Sequence, residues 1–157
     1  MMPTHTHTRL PVSWVLVNEL AVGPAPLHAS HIEQLQEQGV QAVFSLCSTE
    51  EAPPPAELSQ TFVHHRLVLP DHRSGRLPEP AELNAALAEL NTLHQQHRPV
   101  FVHCVAAVER SPLLCMAWLV QHHKLSPGAA LDYLMQVHPP SNPLPGQLAL
   151  LRHLDLR

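Results

Sequence analysis

The chain has 157 residues and 17.4 kDa, with nine Lys or Arg against 13 Asp or Glu and a net charge of −4. That length suits one domain and buries enough surface to fold without a metal or disulfide staple. The mild acidity excludes a nucleic-acid or anionic-membrane partner held by bulk charge, though not a small local basic pocket. Residues 1–11, with His5 and His7, are expected to form a flexible stub, and 12–157 a single domain. Residues 1–9 show no apolar leader. The longest apolar run, Leu113–Val120, falls far short of the roughly 20 residues that span a bilayer. Three cysteines (Cys47, Cys104, Cys115) point to free thiols in a reducing compartment, here the cytoplasm. The 14 histidines are scattered, with no pair in a metal-binding frame.

The 17 prolines, about 11% of residues against a usual ~5%, punctuate short elements with firm ends. Ser13–Val17 and Leu20–Val22 read as two strands joined at Asn18-Glu19. Leu27–Gln38 has helical spacing and stops at Gly39, and Val40–Leu46 is an apolar, β-branched run suited to a buried strand. Ser48–Gln60 is a Pro-rich acidic loop with one short helix near Ala56–Gln60, followed by a strand over Phe62–Leu69. After a polar loop, Glu79 or Pro80 opens a helix through Gln96, with Leu83, Leu87, Leu90 and His94 on one face. A short strand over Val100–His103 precedes an apolar helix over Arg110–His122. Ser126 caps another helix, and Pro145–Leu156 forms the last. This alternation predicts an α/β fold, a central mostly parallel sheet flanked by helices.

The chemistry is concentrated in Val100–Pro112, VFVHCVAAVERSP. Cys104 follows an apolar strand, and Arg110 and Ser111 open the next helix. A five-residue loop between strand and helix can turn its backbone N–H groups toward one point, with the helix dipole behind it, making an anion site. Cys104 lies at its base, where the same groups favour the nucleophilic thiolate. Arg110 can grip two phosphoryl oxygens, and Ser111 can hydrogen-bond the sulfur and help it leave.

This stretch resembles the signature of the cysteine-dependent protein tyrosine and dual-specificity phosphatases, HCxxGxxR followed by Ser or Thr. His103, Cys104, Arg110 and Ser111 match, and the order of elements over residues 12–156 is that of a small dual-specificity phosphatase. The resemblance implies a phosphate loop formed by Val105, Ala106, Ala107, Val108, Glu109 and Arg110. The signature glycine is replaced by Ala107, tolerable at negative φ and costly at positive φ. Glu109 adds a negative charge beside an anion site, harmless if it points outward or pairs with a base and inhibitory if it points in.

A general acid must protonate the leaving oxygen. The family places an Asp about thirty residues before the cysteine, after a strand, and Asp71 in Leu69-Pro70-Asp71 fits. Arg73 and Arg76 could guide a phosphorylated substrate. By resemblance, Asn142 stands where the family positions hydrolytic water, and the Leu46-Cys47 step is similar to the place in the phosphatase-and-tensin family where a second thiol can trap the oxidised nucleophile as a disulfide. Cys115 reads as core.

The resulting expectation is a phosphomonoester hydrolase that works through a phosphocysteine. It needs no metal or other cofactor, because loop amides and Arg110 supply the positive field. Its substrates would be phosphorylated proteins, on tyrosine and/or serine and threonine, or small phosphomonoesters, with neither nucleic acid nor membrane as partner. The alternatives are a phosphate-binding module without turnover, a phosphatase for a non-protein phosphate, and a sulfur-transfer enzyme.

Overall fold

The computed structural model describes residues 9–154. Its strands are β1 (Ser13–Leu16), β2 (Leu20–Gly23), β3 (Ala42–Ser45), β4 (Val63–Arg66) and β5 (Val100–His103), arranged β1-β2-β5-β3-β4. Only the β1–β2 hairpin is antiparallel, and the other three pairings are parallel, so the expected mostly parallel sheet is present.

Strand residues alternate between two apolar layers, because successive side chains leave opposite faces of a sheet. Leu20, Val22, Ala42, Phe44, Val100 and Val102 face the larger layer. It is covered by α3 (Pro80–His97), α4 (Arg110–His123) and α5 (Pro127–Val137). Ala21, Val43 and Phe101 face the smaller layer, packed by α1 (Ala29–Glu37) and α2 (Glu57–Thr61). Helix α4 lies at the centre, and every residue from Arg110 to Leu119 is buried. That explains why its sequence is apolar on all sides instead of amphipathic. Among the described residues, no helix is long and apolar enough to cross a membrane.

The structure differs from the sequence expectations at several ends. Leu10, assigned to the stub, is 3% exposed, and its N–H donates to Gln34 Oε1. His5 and His7 lie outside the described residues. Strand β4 ends at Arg66, yet the chain stays against β3: Leu67 N–H donates to Ser45 O and Leu69 N–H to Leu46 O. Leu93, not His94, completes the buried face of α3, because His94 Nε2 turns to the Glu19 carboxylate 3.0 Å away. The last helix, α6, is short (Pro145–Ala149) and tightens into a 3₁₀ turn over Leu150–His153. Helix α1 stops where expected: Gly39 takes φ 89°, a left-handed conformation that suits glycine.

Candidate active site

Parallel pairing of β5 with both β2 and β3 brings the carboxyl end of β5 to the middle of the sheet edge. The chain then crosses residues 104–109 and enters α4 at Arg110. Cys104 is 3% exposed, and its Sγ lies 3.2 Å from Ser111 Oγ, so the hydroxyl buried behind the sulfur is within hydrogen-bond reach of it. A cleft opens above, lined by Cys104, Val105, Ala106, Val108, Glu109, Arg110, Asp71 and Asn142, with a volume of about 440 Å³. The residues proposed from sequence for the nucleophile, the phosphate grip, the acid and the water site therefore share one cleft.

Ala107 does not line the cleft. It is fully buried with φ 58°, so the loop does require the left-handed conformation for which glycine is the usual residue. Two contacts from the far side brace this stretch. His138 Nε2 donates to Ala107 O at 2.6 Å, and Asn142 N–H donates to Val108 O at 2.7 Å. Ser13 Oγ lies 2.8 Å from His138 Nδ1. Because Ala107 O can only accept, the ring proton sits on Nε2, and Nδ1 accepts from Ser13.

Arg110 is 3% exposed and oriented before any anion arrives. Its NH1 donates to Leu46 O and Leu69 O, while NH1 and NH2 reach both oxygens of Glu51, the shortest at 2.8 Å. Sequence reasoning missed Glu51, which lies in the acidic Pro-rich loop. Burial alone would raise the Glu51 carboxyl, but hydrogen bonds from Arg110 and Ser48 outweigh it and hold the group below its ordinary range.

Asp71 caps the 3₁₀ turn His72–Ser74, its Oδ1 accepting from Arg73 N–H. Oδ2 accepts from Arg73 Nε at 3.0 Å and lies 3.7 Å from Arg110 NH2. Burial pushes Asp71 upward, but the Arg73 hydrogen bonds and the charges of Arg110 and Arg73 outweigh it, so the group stays below the ordinary carboxylate range. In the free protein Asp71 is therefore an ion, and it must take up a proton before it can act as an acid.

His103 does not enter the cleft. Nδ1 donates to Cys104 O at 2.8 Å, and Nε2 lies 2.6 Å from Ser45 Oγ, behind the nucleophile. Both ring nitrogens are therefore engaged with Cys104 O and Ser45 Oγ. Burial pushes His103 down to about 4, so it is neutral at physiological pH. Cys47 is fully buried beyond the same ring, with Sγ 4.0 Å from His103 Nδ1. Cys115 is core, its thiol pushed far up by burial.

Glu109 turns away from the anion site. Its carboxylate accepts from His72 Nδ1 at 2.8 Å and from Gln147 Nε2 at 2.6 Å, satisfying the pairing condition set out from sequence. Arg76 does not face the cleft, since its guanidinium pairs with Glu82.

The site is thus a nucleophile, a guanidinium and a carboxylate gathered around one strand–loop–helix turn. Residues 22–155 match the family model of the dual specificity phosphatase catalytic domain, and the chain belongs to that family. Phosphatidylglycerophosphate phosphatase PTPMT1 of Arabidopsis thaliana is 27% identical over 126 residues, 80% of this chain and 37% of that protein. Dual specificity protein phosphatase 2 of Mus musculus is 27% identical over 109 residues, 69% and 32% respectively. The chain thus spans about a third of the length of each of these curated relatives. Among solved structures, Tk-PTP in its active form superposes with a TM-score of 0.78 at 19% identity, covering 93% of this chain and 97% of that one. PTPMT1 in complex with PI(5)P superposes at 0.73 and 21% identity, covering 85% and 88%.

Proposed function

We propose that the chain is a cysteine-dependent phosphomonoester hydrolase. The observation that carries this is Cys104 Sγ at the floor of a cleft, 3.2 Å from Ser111 Oγ, with Arg110 and Asp71 on its walls. Cys104 attacks phosphorus in line, forming the S–P bond as the bond to the leaving oxygen breaks. Backbone N–H groups of residues 105–110 and the Arg110 guanidinium hold the equatorial oxygens. Asp71, once protonated, gives its proton to the leaving oxygen, and the resulting carboxylate takes a proton from the water that cleaves the S–P bond. Ser111 donates to the departing thiolate, and Asn142, exposed at the rim, orients that water.

Phosphotyrosine and/or phosphoserine and phosphothreonine in proteins are the proposed substrates, supported by the dual-specificity relatives. A second reading, a lipid phosphomonoester, is favoured by likeness to two phosphatidylglycerophosphate phosphatases. The proposed compartment is the cytoplasm, in keeping with three free thiols.

The test is hydrolysis of p-nitrophenyl phosphate in EDTA by wild type, Cys104→Ser and Asp71→Ala. Turnover by wild type with none by Cys104→Ser supports the reading. A wild type as inert as Cys104→Ser that still binds tungstate refutes turnover and makes the chain a phosphate-binding module. Phosphopeptides set against micellar phosphatidylglycerophosphate then separate the two substrate classes.

A further inference from the structure

A carboxylate beside a phosphate-binding loop needs an explanation. Glu109 immediately precedes Arg110, yet its side chain is only 12% exposed and both oxygens are engaged away from Cys104. Gln147 is 1% exposed, and its amide is fixed, since Oε1 accepts from Leu144 N–H at 2.8 Å while Nε2 donates to Glu109. One carboxylate oxygen is thus held by α6, and the other is presented across the cleft to His72. His72 adjoins Asp71 in a turn tied internally by Ser74 N–H and Ser74 Oγ, both donating to Asp71 O, and closed by Gly75 at φ 81°. Such a turn moves as a body, so what holds His72 also holds Asp71.

We propose that Glu109 and His72 form a latch that keeps the Asp71 turn closed over the phosphate loop, making both of them positioning residues for the general acid. This rests on the proposed function only in assigning the acid role to Asp71. The other ties on this turn run to Glu51, directly from Arg73 and from Asp71 through Arg110. The latch fastens the side next to Glu109 and Leu144, so the turn is held from two sides. The carboxylate can only accept, so His72 Nδ1 carries the proton in this contact. The ring is 62% exposed, which makes the latch weak enough to open for substrate entry.

The test compares kcat/KM, which reports transfer to Cys104, on p-nitrophenyl and phenyl phosphate for wild type, His72→Ala, His72→Asn and Asp71→Ala. A displaced acid matters most when the leaving group is poor. His72→Ala should therefore lose about tenfold more on phenyl than on p-nitrophenyl phosphate, the same selectivity as Asp71→Ala though smaller. His72→Asn, which keeps an N–H donor, should recover part of it. In parallel, amide exchange of residues 71–75 should quicken about fivefold in His72→Ala with the melting temperature unchanged, the size expected for one half-exposed charge-assisted bond. Equal losses on both substrates, or unchanged exchange, would overturn the latch. If Asp71→Ala shows no leaving-group selectivity, the acid assignment falls and the latch's catalytic role with it. If wild type does not turn over at all, the hydrolase reading falls, and the exchange measurement alone decides whether the turn is held.

Discussion

His138→Ala tests how the phosphate loop is held in its left-handed turn. The imidazole is 4% exposed, accepts from Ser13 and donates to the carbonyl of the fully buried Ala107. Removing it deprives a buried carbonyl of its donor, costing about 1–3 kcal/mol. Losing the ring's packing adds about 1–2 kcal/mol. The Ser13 hydroxyl is half-buried and returns to water at little cost. The total is about 3 kcal/mol, and a domain of this size loses about 2–4 °C of melting temperature per kcal/mol, so the melting point should fall by about 6–12 °C. The left-handed backbone of Ala107 itself costs about 1–2 kcal/mol, so with its brace gone the loop should also relax, and tungstate affinity should drop. Circular dichroism melts and tungstate titration read the two effects. A melting point within about 3 °C of wild type would refute the reasoning, because the 2.6 Å contact would then contribute nothing net.

Three further outcomes are expected. Arg73→Ala removes the Nε hydrogen bond and the charge that help hold Asp71 low, while the backbone N–H of residue 73 and the Arg110 charge remain; Asp71 should rise, and the alkaline limb of the kcat/KM profile should move to higher pH, since the acid stays protonated longer. No movement of that limb would show that Arg73 does not set the acid. Histidine 103 titrates near 4 when folded and near 6.5 when unfolded, so the unfolded chain binds more protons between those values. Stability is therefore full above about pH 6.5 and falls by up to about 1.4 kcal/mol per pH unit toward pH 4, an effect urea titrations at stepped pH should show and His103→Gln should lessen. Peroxide should convert the Cys104 thiolate to a sulfenic acid, whose sulfur then bonds to the Cys47 sulfur as the Cys47 thiol proton and the sulfenic hydroxyl leave together as water. Peptide mapping should find a Cys47–Cys104 crosslink, and Cys47→Ser should pass to irreversible oxidation faster; oxidised Cys104 with no crosslink would dismiss the pairing.

The part of the site that could be read from sequence is the part contiguous in sequence. His103, Cys104, Arg110 and Ser111 come from one strand–loop–helix unit whose apolar strand, loop length and helix start can each be recognised locally. Asp71 was legible because a proline and a strand precede it. Glu51, His138 and Gln147 were not, because nothing in their own neighbourhoods marks them. Glu51 reaches Arg110 only because β3 lies beside β5, and the partners Ser13 and His138 meet from opposite ends of the domain. The sequence could state what Ala107 and Glu109 would each require, but only the fold could supply it. A buried histidine braces the first, and a loop histidine with a buried glutamine takes up the charge of the second.

The burial of α4 divides the cleft into two walls with different freedom to change. Arg110 and Ser111 begin a run of ten buried residues at the centre of the core, so reshaping that wall means repacking the whole domain. On the other side of the cleft, His72 and Arg73 are exposed and rest on a few ion pairs. A library of variants selected for a new substrate should therefore keep the wall that handles phosphorus and collect its changes in the wall that meets the rest of the substrate. In such a molecule the reaction is inherited along with the core, while selectivity can drift without risking the fold.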